Sequence, residues 1–92
     1  MTLKEWFSTP AAEGWDIPRL MQACDVFKPT VYAWLTGANL PTLENFAVLE
    51  RISEGRIKVS SLVAEHRLYE TRRALRRAAG KGRWPIKQGA NP

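Results

Sequence analysis

The stretch from Leu20 to Leu49, LMQACDVFKPTVYAWLTGANLPTLENFAVL, constrains this chain most. It holds three short apolar-periodic segments joined by very short connections. Leu20, Met21 and Cys24 recur at helical spacing in the first. Val31, Trp34 and Leu35 fall at i, i+3, i+4 in the second, which turns them inward together. In the third, Leu43, Phe46, Ala47, Leu49 and Ile52 are expected to point to the core. A tight turn at Asp25-Val26 separates the first two segments, and a Gly-Ala-Asn-Leu-Pro loop separates the last two.

Start and stop signals bound each segment. Asp16 is a good N-cap, Pro18 is tolerated in a first turn, and Trp15 before the cap is placed to staple onto Leu20. That helix should end near Cys24-Asp25. Pro29 suits the start of the next, where its missing amide costs nothing, and Gly37 suits a left-handed end. Pro41-Thr42 announces a further helix capped by Thr42 and closed by Gly55. Upstream, Thr2-Leu3-Lys4-Glu5 fits a capping box, with Leu3, Trp6 and Phe7 on one face and a loop between Pro10 and Gly14. Downstream, Ile57 and Val59 read as a short extended link. Ser60 or Ser61 then caps a fifth helix reaching about Ala79. Gly80-Lys81-Gly82 reads as a flexible joint, and Arg83 to Pro92 as a mobile tail.

Composition narrows the classes. Ninety-two residues make one small domain with a modest core, so a partner subunit can add stability. A hydrophobic share of 45% fits a folded chain. The single cysteine, Cys24, cannot form an internal disulfide and reads as a small core residue. No Cys/His cluster is present to hold zinc, and no metal or cofactor is expected. Neither a signal peptide nor a membrane-spanning run is visible, so a cytoplasmic location is expected. The net charge of +5 is unevenly spread. Residues 1–66 carry six Lys/Arg against eight Asp/Glu, whereas residues 67–92 carry eight Lys/Arg against one Glu. A basic arm of this kind suits a polyanion.

Leu20 to Leu49 resembles the Cro/phage-repressor (XRE-type) helix-turn-helix proteins. The matching marks are Val31 and Trp34, then Leu35-Thr36-Gly37, then Leu40-Pro41-Thr42-Leu43-Glu44-Asn45. The likeness covers roughly residues 15 to 64. The chain departs from the pattern at Met21, where the family usually has Ala. It departs again at Asp25, where the family usually has Gly, and at Ile17, where a polar residue on phosphate is common. Asp tolerates a left-handed turn better than most residues.

The resemblance implies an all-α, compact five-helix, lambda-repressor-like domain with an extended basic C-terminal helix and a flexible tail. Residues 1–64 would form the helix-turn-helix domain, 65–79 the basic helix and 80–92 the tail. It implies a cytoplasmic, nucleoid-associated regulator, a repressor that covers a palindromic operator of double-stranded DNA as a homodimer. Lys28, Pro29, Thr30, Tyr32, Ala33 and Thr36 would then face DNA. Lys28 can donate to guanine or phosphate, and Tyr32 to phosphate. Phe27 falls among the family's base-reading positions but is expected to pack in the core or turn. Asn39 and Thr42 would approach the phosphate backbone, where free amides at a helix start favour anions.

The fifth helix adds Arg72, Arg73, Arg76 and Arg77 for phosphates or acidic partner surfaces. Ala64, Leu68, Thr71, Leu75 and Ala78 form a narrow stripe that suits a dimer seam centred on Leu68 and Leu75. Trp84-Pro85-Ile86, with Lys81, Arg83 and Lys87, could dock on a partner or follow a groove. His66 reads as a surface or seam residue. No nucleophile-base set or Gly-rich phosphate loop emerges, so no enzyme activity is expected. The alternative is an antitoxin-type or phage protein–protein module that binds a host or partner protein through the basic helix.

Overall fold

Cap chemistry sets the helix boundaries. A computed structural model describes residues 1–80 and contains no strand among them. Helix α1 spans Leu3–Phe7, α2 Ile17–Cys24, α3 Lys28–Thr36, α4 Leu43–Ile52 and α5 Val59–Gly80, with one 3-10 turn at Pro10–Ala12. The Thr2 hydroxyl accepts from the Glu5 amide at 3.2 Å, and the Thr2 amide donates to the Glu5 carboxylate at 2.7 Å. Asp16 accepts from the Arg19 amide at 2.9 Å, and Thr42 from the Asn45 amide at 3.2 Å. Asp25 ends α2 in the left-handed region at φ 55, ψ 54, as its tolerance of that conformation allows. Gly37 ends α3 in the same region at φ 84.

The core gathers one or two residues from each helix. Leu3, Trp6, Leu20, Val31, Leu49 and Ile57 are fully buried, with Trp34 and Leu62 against them. Aromatic side chains fasten α1 to the start of α2. Trp6 lies 5.4 Å from the Phe7 ring and 6.3 Å from the Trp15 ring. The Arg19 guanidinium sits 4.0 Å over Trp15 and donates to the Gly14 carbonyl at 2.8 Å. Between α4 and α5, the buried Ser53 hydroxyl donates to the Glu50 carbonyl and accepts from the Ile57 amide. The carbonyl of Met1 accepts from the Lys58 amide, which ties the chain start to the same connection.

Two expectations for α4 and one for the following link are corrected. Leu43 is 84% exposed, and Ala47 is exposed as well. The buried stripe of α4 is centred on Leu49. At 3.6 residues per turn, Leu43 lies about 120° and Ala47 about 160° around the helix from it. Phe46 and Ile52 flank the stripe and are partly buried. The extended link ends earlier than expected. The Lys58 carbonyl already accepts the Leu62 amide at 3.2 Å, so Val59 opens α5 ahead of Ser60 and Ser61. Ile57 is buried, and Val59 is half-exposed.

Helix α5, with 22 residues, is about 33 Å long and gives the molecule its 55 × 23 × 23 Å extents. Its last two turns and more are exposed, from Glu70 onward apart from Ala78. Lys81, Arg83, Lys87 and Trp84-Pro85-Ile86, expected to dock on a partner or follow a groove, lie outside the described residues.

Gly37 and Gly55 both have positive φ, but they differ in surroundings. A Cβ on Gly37 would lie 2.7 Å from Glu65 Cγ and 3.1 Å from the Glu65 carbonyl oxygen, whereas one on Gly55 would meet nothing within 4 Å. Gly37→Ala is expected to cost about 3 kcal/mol in urea unfolding, and Gly55→Ala about 1 kcal/mol. Equal losses would mean that α5 does not press on the end of α3. The Thr2 amide and hydroxyl hold the Glu5 carboxyl below its ordinary value of 4.5. The capping box therefore stabilises the fold above that value and loses its effect as pH falls through the lowered folded value. Glu5→Gln should lower the melting temperature at neutral pH, with the difference closing in acid.

Candidate functional site

Burial of Val31 and Trp34 decides which face of α3 is left to solvent. That outward face carries Lys28, Pro29, Tyr32 and Thr36, all exposed, with Thr30 and Ala33 half-buried at its edges. The Lys28 ammonium lies 5.8 Å from the centre of the Tyr32 ring, within range of a cation–π attraction. The two side chains expected to donate hydrogen bonds thus stand together at the start of the helix. The Thr36 hydroxyl donates to the Ala33 carbonyl at 3.3 Å and accepts from the Ala38 amide at 3.4 Å. Part of its bonding capacity is used at the helix end. Asn39 follows in the exposed loop, its amide donating to the Ala33 carbonyl. Thr42 is exposed and spends its hydroxyl on capping α4.

Phe27 is not packed in the core or turn. Its side chain is 81% exposed. Phe27 holds the N-cap position of α3 in an extended conformation, φ −88 and ψ 163, with no side-chain capping bond. Val26 takes the inward place beside it and packs against the core. With neighbouring side chains in extended backbone pointing opposite ways, Phe27 is turned out.

A second group of side chains meets at the far end of α3. Leu35 and Thr36 from α3, Lys4 from α1 and Leu68, Arg72 and Arg76 from α5 line a cavity of about 320 Å³. The fold therefore brings Thr36, Arg72 and Arg76 together, although thirty-six residues or more separate them in sequence. Arg73 and Arg77 are exposed about 100° further round α5, away from this group. Leu68 is half-exposed and forms part of the cavity wall, so it is shared between the stripe on α5 and the body. Leu75 is 42% exposed and does not line the cavity.

The structure shows a link that sequence reasoning missed. His66 Nδ1 lies 2.8 Å from the Gly37 carbonyl oxygen. A carbonyl only accepts, so Nδ1 carries the proton and donates. His66 is thus a joint between α5 and the end of α3 and is only partly exposed. Its partner is 29 residues away, which leaves no trace in local spacing. Burial, and secondarily the charge of Glu5, push the neighbouring Glu65 carboxyl above its ordinary value, while Lys4 opposes them. Burial also pushes the Cys24 thiol up, so the protonated, unreactive form is favoured.

Among the described residues, no group of three His, Cys, Asp or Glu side chains could hold a metal ion, and no helix is long and apolar enough to cross a membrane. No protein-family model, curated protein sequence or solved structure matches the chain.

Glu65 offers a check on this packing. Its folded value lies above the ordinary 4.5, so ionised Glu65 is a cost that is absent well below that pH and complete above the raised value. Glu65→Gln is expected to raise the melting temperature at neutral pH and to leave it unchanged near pH ~3. An unchanged melting temperature at both would remove the packed Glu65.

Proposed function

We propose that α2 and α3 form a helix-turn-helix of the Cro/phage-repressor (XRE) type, and that the chain is a sequence-specific regulator binding double-stranded DNA. The observation that carries this reading is the shared position of Thr36, Arg72 and Arg76 around one cavity, at the end of a helix whose outward face holds Lys28 and Tyr32. A nine-residue helix held down by Val31 and Trp34 presents its other face as a rigid unit. Asp25 in the left-handed region supplies the tight turn that such a motif needs.

In this reading α3 enters the major groove, led by its N-terminal residues. Lys28 donates to guanine O6/N7 or to phosphate, and the Tyr32 hydroxyl to phosphate. Pro29, Thr30 and Ala33 permit close approach. Asn39, Thr42 and the α5 arginines Arg72, Arg73, Arg76 and Arg77 flank the groove and neutralise phosphates. Two copies joined along Leu68 and Leu75 would set their recognition helices about 34 Å apart and cover a palindrome. Occupancy of such an operator blocks polymerase, which makes the regulator a repressor.

The half-exposed Leu68 and Leu75 also favour a second reading. Apolar residues between arginines suit an acidic partner protein, as in an antitoxin-type module.

Selection of duplexes from a random pool, followed by titration across salt, separates the two. The regulator should prefer a palindrome, and its affinity should fall steeply with salt as counterions are released. Arg72→Ala and Arg76→Ala should each reduce the salt slope by about 0.9 while sequence preference persists. Lys28→Ala should cost about 1–3 kcal/mol if it reads guanine, with preference relaxed at one base pair. Equal affinity for every duplex would overturn specific recognition, and no binding at low salt would leave the partner-protein reading.

A further inference from the structure

Arg72 and Arg76 stand about one turn apart on α5, in the wall of the cavity shared with α1 and α3. Like charges at this spacing repel. No acid on their own helix relieves them. The residues three and four places away are Leu68, Tyr69 and Leu75 for Arg72, and Arg73, Ala79 and Gly80 for Arg76, besides the two arginines themselves. Lys4 adds a third cation from α1, and Glu65 is the one carboxylate in the lining. The cavity therefore carries a surplus of two positive charges. The carbonyls at the end of α3 are already supplied with donors. Those of Ala33, Trp34 and Gly37 accept from Asn39, Gly37 and His66.

Beside these charges, Leu35, Leu68 and Tyr69 supply apolar surface, and Leu35 and Tyr69 are half-buried. The volume of about 320 Å³ equals the share of roughly ten water molecules in the liquid and lies at the small end of ligand cavities. Such a space suits a small molecule with an anionic head and an apolar body. Two guanidinium groups at one end favour an oxyanion that can accept several hydrogen bonds at once. A surplus of two charges favours a dianion over a carboxylate.

We propose that this cavity is a binding site for a small phosphate monoester with an aromatic or other apolar body. Near neutral pH such an ester carries close to two negative charges. Arg72 and Arg76 donate to its oxygens, Lys4 adds charge from across the cavity, and the body lies against Leu68 and Tyr69. The site is separate from the outward face of α3 and does not depend on DNA binding. Where the chain binds DNA as proposed above, the ester occupies arginines assigned to phosphates and weakens the grip on a duplex, as an inducer would.

Titration calorimetry of the full chain with 1-naphthyl phosphate, 1-naphthoate and inorganic phosphate tests the site. Measured at about 0.15 M ionic strength, diffuse attraction is largely screened. The naphthyl phosphate should saturate at one per chain. Naphthoate, with one charge fewer, and inorganic phosphate, with no apolar body, should each bind at least fivefold more weakly. Arg72→Ala and Arg76→Ala should each weaken naphthyl phosphate about tenfold or more without lowering the melting temperature, since both side chains are exposed. Arg67→Ala removes the same charge from α5 about 140° round the helix from Arg72 and should leave the affinity unchanged. No saturable binding, equal losses in all three variants, or naphthoate binding as tightly as naphthyl phosphate would overturn the site. If the ester binds as expected and duplex affinity is unaffected by it, the inducer role falls, and with it the assignment of Arg72 and Arg76 to DNA phosphates.

Discussion

Gly37 has no Cβ, and the backbone and side chain of Glu65 occupy the space that one would fill. The Gly37 carbonyl accepts the proton of His66 from the next position along α5. These two contacts join the end of α3 to the first half of α5. On that joint depend the position of Arg72 and Arg76 beside Thr36 and the shape of the cavity that they share with Lys4. The left-handed conformation of Gly37 does double service. It ends α3 and also turns the carbonyl toward α5.

The first half of the molecule holds itself by local means. Capping bonds at Thr2, Asp16 and Thr42 each close within three residues. The aromatic contacts among Trp6, Phe7 and Trp15 span one loop. Such interactions are written in short spacing, which is why Thr2-Glu5, Asp16, Gly37 and Thr42 were legible in the sequence. The buried character of Val31 and Trp34 was legible for the same reason, because both fall on one face at a helical period.

What was not legible depended on where a helix finds its neighbours. Leu43 and Ala47 are apolar and near the right spacing, but the inward direction of α4 is set by Leu49 and by Ser53, a polar residue that no apolar pattern includes. Phe27, an aromatic expected in the core or turn, is exposed because Val26 takes the inward place, and only one of two adjacent extended residues can turn inward. His66 and Gly37 meet across 29 residues, and the meeting of Thr36 with Arg72 and Arg76 depends on that contact. On the outward face of α3, the residue types could be read from the sequence. Their relation to the arginines of α5 could not.

From His66 to Gly80, α5 runs about 21 Å with its solvent-facing residues almost unsupported. The helix is a stiff arm anchored near one imidazole. A rotation of 10° at that anchor would carry the far tip by roughly 4 Å, more than the length of a hydrogen bond. Arg76 and Arg77 lie most of the way out along this arm, so the angle at which α5 leaves the body sets which surface they can reach. In the proposed regulator, a single-residue change at Gly37 or His66 would retune the grip of distant arginines without touching any of them.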